Sequence, residues 1–336
     1  SIMHAILEKF VKVCVETKLS WNDLNEQQIR SLLFNITNEY FSNVFKRSFL
    51  NTKSNSYLFG RLEKNLVRCA LLITQHMKRG KFEPVECEVK FGGANKLSAA
   101  VIDITSGKKL KINGIIDRLD KYEDESGTYF RVVDYKSGSK SFSLGKLVYG
   151  LDLQLALYLH VALENNKNSK PAAMLYFKIA EPLISAKSTL SKEQADSEIA
   201  KKMKMDGIVL AEDNIIKALD ENISSKSDII PVSYNKDGSF KSGCGAVTQK
   251  EFEIIFKHIK KQMKQIGADI LNGKCDISPC LYENMAPCRY CKYSSVCRFD
   301  KKGGKYNTLE KLSMEQAELK LNQMYGKESE DGNKLD

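Results

Sequence analysis

Two aspartates and one lysine in this sequence have the types and spacing of a catalytic group. Asp117 follows an apolar run in the segment KINGIIDRLD, and Asp134 stands two residues before Lys136 in the segment YFRVVDYKSG. The segment between them, KYEDESG, has the composition of a turn, and an antiparallel pair of strands folded about it sets Asp117 opposite Asp134. Because side chains alternate along a strand, Lys136 shares a face with Asp134.

This arrangement predicts a site for a hard divalent metal ion. Carboxylates that face each other across a sheet repel, so a cation usually lies between them. The Lys136 ammonium would then orient an attacking water or stabilise charge on a phosphate. The alternative is a solvated surface pair, because D-x-K occurs by chance in lysine-rich chains. The apolar residues before each aspartate favour burial, which costs free energy unless the carboxylate is paired or bound to a metal.

Gln154 and Tyr158 are two further polar residues that point in a shared direction. They lie four residues apart in the segment YGLDLQLALYLHVAL, whose leucines predict a buried helix, so both side chains lie on one helix face. They either orient a substrate or ligand beside the aspartates or are ordinary core residues.

Hydrophobic periodicity predicts the elements that must position these residues. Before Pro84 the apolar residues recur at helical spacing, and after Pro84 they alternate as in strands. The buried helix and a strand, AAMLYFKI, follow. This order of helix, strands, helix and strand predicts an α/β fold. The expected segments are an N-terminal helical part (1–82, with helices at 2–17, about 22–48 and about 55–79), a core (83–186, with the buried helix at 151–164), an insertion (187–250), a C-terminal helix and cysteine loop (251–312), and a partly disordered tail (313–336).

Composition excludes some classes of protein. The chain has 336 residues and a formal net charge of +10, which suits a polyanionic partner but is weak evidence alone. No apolar segment has the length of a membrane span, and no G-x-x-x-x-G-K-[ST] motif indicates a P-loop nucleotide hydrolase. Nine cysteines without a secretory signal predict a reducing compartment, the cytoplasm, and no disulfides.

Taken together, GIIDRLD, VVDYKSG and Q-x-x-x-Y resemble the RecB-type branch of the PD-(D/E)XK nuclease superfamily. The opening IMHAILEKF is similar to the first core helix of that branch, which carries a histidine followed by a Leu-Glu pair. A histidine beside an apolar helical stripe is, on its own, more often structural. The resemblance implies a PD-(D/E)XK core, with a mixed central sheet flanked by helices, that cuts DNA with Mg²⁺, for which Mn²⁺ substitutes. It also implies metal ligands at His4, Asp117 and Asp134, and catalytic roles for Asp117, Asp134, Lys136, Gln154 and Tyr158.

Three cysteines near the C-terminal end form a second constellation. Cys288, Cys291 and Cys297 are spaced C-x2-C-x5-C, one thiolate short of a four-cysteine ligand set. Reduced structural cysteines and a zinc knuckle are the alternatives from the residues alone. The spacing is similar to the C-terminal cluster of AddB-type subunits of bacterial AddAB helicase-nucleases. That resemblance covers most of the chain and extends to the approach to the cluster, G-x-x-x-I-x-P, at Gly273, Ile277 and Pro279.

The resemblance to AddB-type subunits implies a cofactor and a partner. In that family four cysteines hold a four-iron four-sulfur cluster, and the first lies upstream of the histidine helix. The fourth ligand is therefore expected before Ser1 of this chain, which we interpret as the C-terminal part of a longer protein that alone holds the cluster poorly. The implied activity is exonuclease cleavage of a single DNA strand from an unwound duplex, with the AddA subunit, during double-strand break processing for homologous recombination. A decayed nuclease module that only binds DNA or assembles the complex, and a zinc-stabilised binding domain, remain alternatives.

Overall fold

The computed structural model describes residues 1–44, 52–93, 95, 97–105, 107–138, 140–185, 189–300 and 304–326. The chain forms two compact units, each built from separate stretches. The first unit takes Ser1–Ala100, Ile112–Phe142 and Gln154–Phe252. The second takes Val101–Lys111, Ser143–Leu153 and the chain from Glu253 onwards.

A six-stranded mixed sheet forms the centre of the first unit. Its strands, in spatial order, are β1 (Glu83–Phe91), β4 (Gly114–Asp124), β5 (Gly127–Lys136), β6 (Ser169–Lys178), β7 (Asp206–Leu210) and β8 (Ala246–Val247). The pairs β5–β6 and β7–β8 are parallel, and the other neighbours are antiparallel. Strands β2 (Ala100–Asp103) and β3 (Lys109–Ile112) form a separate two-stranded sheet, nearly all of which belongs to the second unit.

The described residues before this sheet form three α-helices that pack on one another. They are α1 (Ile2–Glu16), α2 (Glu26–Val44) and α3 (Lys53–Lys78), and α1 also packs on β1. Ser1 caps α1 through its side chain, because Ser satisfies a free amide of the first turn. One face of α1 is apolar and fully buried, and it consists of Ile6, Leu7, Phe10, Val11 and Cys14.

A further helix, α5 (Gln154–Asn165), packs on the parallel strands β5 and β6. All eight of its residues from Leu155 to Ala162 are buried. Strand β6 is also buried from Pro171 to Phe177, as expected for a strand with both faces covered. The mixed sheet and its flanking helices confirm the predicted α/β class, and α5 is the helix predicted over residues 151–164.

The stretch predicted as an insertion, residues 187–250, contributes to the sheet. It contains α6 (Lys192–Lys202), β7, α7 (Asp213–Leu219) and β8. Strand β7 pairs with β6, and β8 pairs with β7. These strands have five and two residues, which is too short for a clear hydrophobic period. The division of the chain into five sequential segments stays a prediction.

The second unit contains the remaining elements. They are α4 (Leu144–Val148), α8 (Gln249–Leu271), the parallel strands β9 (Cys280–Tyr282) and β10 (Asn307–Leu309), α9 (Ser294–Cys297) and α10 (Met314–Tyr325). Helix α8 belongs to this unit from Glu253 onwards. On α8, the buried His258 faces the Tyr325 hydroxyl at 3.0 Å through Nδ1 and the Leu147 carbonyl at 3.2 Å through Nε2. Within the predicted tail, residues 314–325 are helical and residues 327–336 lie outside the described residues. Among the helices described, none has the length and apolar character needed to cross a bilayer.

Candidate active site

The β4–β5 hairpin brings the two predicted acids together. Its register pairs Arg118 with Val133, so the next position along sets Asp117 opposite Asp134 with both side chains on one face. The Asp117 carboxylate accepts a hydrogen bond from the Tyr135 amide at 2.8 Å. This bond fixes Asp117 against the end of β5.

The two carboxylates differ in exposure. Asp134 is 2% exposed, whereas Asp117 is half-buried. The pKa of Asp117 is raised to about 6, first by burial and then by the negative charge of Asp134, while the Tyr135 amide opposes the rise. Asp117 is therefore held in a site that penalises its charge.

Lys136 connects the acids to the buried helix. Its ammonium forms an ion pair with Asp134 and lies 3.5 Å from the Gln154 side-chain oxygen. The Gln154 amide nitrogen donates to the Tyr158 hydroxyl at 2.7 Å. Since both ends of the amide have partners, its orientation is fixed. The four predicted residues Asp134, Lys136, Gln154 and Tyr158 thus form one chain of contacts.

Tyr158 is positioned by a close approach of strand and ring. It packs edge-on against Phe91 at 5.7 Å between ring centroids. A Cβ atom at Gly114 would stand 2.5 Å from the Phe91 ring and 3.3 Å from the Tyr158 ring. Glycine is therefore required at position 114 for these two rings to reach the site.

His4 approaches from the first turn of α1. Its ring lies 6.1 Å from the Tyr135 ring, and its Nε2 atom is buried with no hydrogen-bond partner among the described residues. Burial lowers the pKa of His4, while the charge of Asp134 and a hydrogen bond to the Tyr135 backbone oppose that shift. A neutral imidazole with an unpartnered nitrogen is in the form that binds metals.

The donor set fits a divalent cation. It offers two mutually repelling carboxylates, which are the oxygen ligands that Mg²⁺ and Mn²⁺ prefer, and the unpartnered nitrogen of His4, which Mn²⁺ accepts more readily than Mg²⁺. Across the described ranges, no three His, Cys, Asp or Glu side chains are already gathered as a metal-ligand set. The Lys136 ammonium instead contacts Asp134 and supplies the positive charge there.

Two glutamates beside this site were not assigned from the sequence. Glu8 lies one helical turn after His4, and Glu88 falls opposite Asp117 in the β1–β4 register. Burial raises the pKa of Glu8 to about 7, together with the charge of Glu88 and a hydrogen bond between the two carboxyl groups. The spacing of His4 and Glu8 was the available signal, whereas Glu88 has a left-handed backbone (φ 49°) that no strand pattern predicts.

The three predicted cluster cysteines lie in the second unit. Cys288, Cys291 and Cys297 line one cavity of about 550 Å³, together with Tyr290, Phe299 and Tyr306. All nine cysteines fall within the described residues and are free thiols. The cavity brings the three thiols together, and their role as cluster ligands stays a prediction.

Comparison with known proteins identifies similar sequences. The sequence model of the PD-(D/E)XK nuclease superfamily matches residues 1–298. The chain is similar to three proteins that are each named as a subunit of an ATP-dependent helicase/deoxyribonuclease. The protein from Acetivibrio thermocellus is 34% identical over 89% of this chain and 27% of its own length. The protein from Clostridium perfringens is 33% identical over 98% of this chain and 29% of its own length. The protein from Clostridium novyi is 36% identical over 89% of this chain and 27% of its own length. The chain spans less than a third of the length of these curated relatives.

Proposed function

We propose that this chain, which belongs to the PD-(D/E)XK nuclease superfamily, hydrolyses phosphodiester bonds of DNA with Mg²⁺, for which Mn²⁺ substitutes. The observation that carries the proposal is the placement of Asp117, Asp134 and Lys136 on one face at the end of the β4–β5 hairpin. Two acids that can hold a metal ion and one ammonium that can stabilise charge on a phosphate form a set suited to phosphodiester hydrolysis.

The acids and the histidine would hold the cation. Asp117 and Asp134 offer carboxylate oxygens, and His4 offers its unpartnered Nε2 atom. A bound divalent ion supplies Lewis-acid polarisation of the phosphate and lowers the pKa of water. The Tyr135 amide keeps the Asp117 carboxylate in place before any cation binds.

Lys136, Gln154 and Tyr158 would act on the substrate. The Lys136 ammonium stabilises the negative charge that develops on the phosphate and orients the attacking water. Gln154 contacts the Lys136 ammonium through its oxygen and donates to Tyr158 through its nitrogen, which reduces the freedom of all three side chains. Such prior ordering lowers the entropic part of the barrier.

The names of the similar proteins support the proposal that this chain is part of a multi-subunit complex. They are subunits of a helicase and deoxyribonuclease. We propose that this chain is the exonuclease domain of such a subunit, that it degrades a single strand released from unwound DNA, and that it works with an AddA-type partner in double-strand break processing for recombination. In the full-length protein Cys288, Cys291 and Cys297, with a fourth upstream cysteine, would hold a four-iron four-sulfur cluster. The free thiols suit the reducing cytoplasm.

Cleavage of end-labelled linear single-stranded DNA tests the activity. We expect Asp117→Ala and Asp134→Ala to lose cleavage and Mn²⁺ binding together, and Lys136→Ala to lose cleavage while it still binds Mn²⁺. The control is Asp103→Ala on β2, whose carboxylate is exposed and pairs with Lys109. The proposal is wrong if purified Asp117→Ala cuts as fast as the parent protein with Mg²⁺ present.

A further inference from the structure

Tyr176 lies beside the candidate site but outside every motif that predicts it. Strands β5 and β6 run parallel, with Asp134 paired to Tyr176 and Lys136 to Lys178. Paired residues on neighbouring strands point to the same face of the sheet. The Tyr176 ring therefore stands on the face that carries Asp134 and Lys136, and the residue is only 1% exposed.

The Tyr176 ring is a direct neighbour of the Lys136 ammonium. The ammonium also contacts the Asp134 carboxylate and the Gln154 oxygen at 3.5 Å, and it lies over the Tyr176 ring at 5.0 Å from its centroid. An aromatic face attracts a cation at this distance. A lysine side chain has four flexible carbons, so it needs such contacts to keep its ammonium in one place.

The ring contact differs in kind from the carboxylate contact. Asp134 is a predicted metal ligand, so a bound cation competes with Lys136 for its oxygens. The aromatic face has no oxygen that a metal ion would bind. It can therefore hold the ammonium whether or not the Asp134 carboxylate binds a cation. The Tyr176 ring is thus suited to keep Lys136 in position throughout turnover.

Tyr176 is itself held firmly in the sheet. It pairs with Asp206 on β7, and the Asp206 carboxylate accepts a hydrogen bond from the Phe142 amide at 2.8 Å. The Phe142 ring lies 6.5 Å from the Tyr176 ring, and the Lys140 ammonium lies 5.4 Å from the same centroid. The segment after β5 is thereby tied to the ring that Lys136 contacts.

We infer that Tyr176 is a positioning residue whose aromatic face holds the Lys136 ammonium at the scissile phosphate. This inference rests on the proposed function, because it assigns Tyr176 a part in the same reaction. The ring face carries the effect, so the hydroxyl group is dispensable.

Kinetics of three variants test the inference. Tyr176→Phe keeps the aromatic face and is expected to retain kcat within about twofold, whereas Tyr176→Leu removes it and is expected to lower kcat about tenfold. KM and Mn²⁺ affinity should stay within about twofold in both variants, since neither substitution removes a residue proposed to contact the DNA or the metal ion. The control is Phe177→Leu, which removes an equally buried ring on the opposite face of β6 and is expected to lower thermal stability without the loss of kcat.

Chemical labelling of the metal-free protein gives a second test that needs no DNA cleavage. The Tyr176 ring covers one side of the Lys136 ammonium and limits its motion, so loss of the ring leaves the amine more accessible to a reagent. Acetic anhydride should therefore label Lys136 about tenfold faster in Tyr176→Leu than in the parent or in Tyr176→Phe. If Tyr176→Leu does not fold by circular dichroism, Tyr176→Met replaces it with less change of volume.

The two assays separate this inference from the proposed function. Absence of cleavage by the parent protein would overturn the nuclease function and leave the labelling comparison intact. Equal Lys136 labelling in Tyr176→Leu and the parent overturns the positioning inference, and so does equal kcat in Tyr176→Leu and Tyr176→Phe.

Discussion

At the scale of single residues, Asp117 and Glu8 make the metal-free site sensitive to pH. The pKa of Asp117 rises from 3.8 to about 6 and that of Glu8 from 4.5 to about 7, both first because of burial. In each case the folded protein binds the proton more tightly than the unfolded chain does. The stability that these groups contribute is therefore present below pH 4 and is lost as the pH rises through about 6 to 7.

A divalent cation should reverse this loss. We expect Mg²⁺ or Ca²⁺ to raise the melting temperature at pH 8 by a few degrees and to have little effect at pH 5, where protons compete for Asp117. Differential scanning fluorimetry with and without the ion measures this. Asp117→Asn should remove most of the response to the ion, and a melting temperature that rises equally at both pH values would contradict the prediction.

Gln154 is expected to matter for rate more than for stability. It is exposed, so Gln154→Ala should change the unfolding midpoint little, while the loss of its contacts to Lys136 and Tyr158 should lower kcat about 10- to 100-fold. Tyr158→Phe tests the other end of the same contact. The control is Gln265→Ala on α8, an exposed glutamine that bonds Asp269 at 2.9 Å. If Gln154→Ala cleaves DNA at the parent rate, Gln154 is an ordinary helix residue.

At the scale of elements, the β4–β5 hairpin carries a second charged group on the face opposite the acids. Asp120 contacts Arg118 at 3.0 Å and Arg131 at 2.6 Å, and all three side chains are nearly or fully buried. Arg118 also donates to the Tyr135 hydroxyl at 3.3 Å, and Arg131 lies over the Phe82 ring. One carboxylate thus neutralises two buried guanidinium groups only in part.

Removal of this carboxylate's charge should destabilise the hairpin. We expect Asp120→Asn to lower the free energy of unfolding by about 3–5 kcal/mol, because it leaves two buried cations without a counter-charge. Urea unfolding at pH 7 measures the change. Glu123→Gln, at an exposed position on the same strand, is the control and should leave the midpoint unchanged. A loss no larger than that of the control would show that water reaches the arginines.

The hairpin also shows how far the sequence alone can specify an element. The turn composition and the period of two were sufficient to place Asp117 opposite Asp134, because both signals are local. They did not predict the burial of Arg118 and Arg131, since charged residues in an alternating strand suggest a solvated face. Only packing of distant segments such as α3 and β1 decides that. Glu88 was missed because its left-handed backbone (φ 49°) departs from the regular strand conformation, and hydrophobic periodicity gives no signal for such a residue.

At the scale of the whole molecule, the sequence predicted the superfamily but not the division of the chain into two compact units. The resemblance to PD-(D/E)XK nucleases is confirmed by the match over residues 1–298. The two compact units were not predicted, because each is assembled from stretches that are far apart in sequence. Periodicity describes one element at a time and contains no information on which distant elements meet.

The cysteine segment of the second unit yields a prediction for the full-length protein. We expect that protein, purified without oxygen, to be brown and to contain iron, and Cys291→Ser to lose both the colour and several degrees of thermal stability. Cys275→Ser is the control, since that exposed cysteine lies outside the C-x2-C-x5-C motif. Visible absorption and metal analysis measure the outcome, and stoichiometric zinc with no iron would contradict a cluster.

The ion pair between Lys136 and Asp134 implies selectivity among the cations that reach the site. A monovalent ion such as K⁺ carries the same single charge that the tethered ammonium already supplies. Such an ion would gain little by displacing Lys136 from Asp134. Under the proposed function, a divalent ion would supply twice the charge to both carboxylates and release the ammonium for the phosphate. We therefore expect the lysine to discriminate against the abundant monovalent salt of a cell before it takes any part in cleavage.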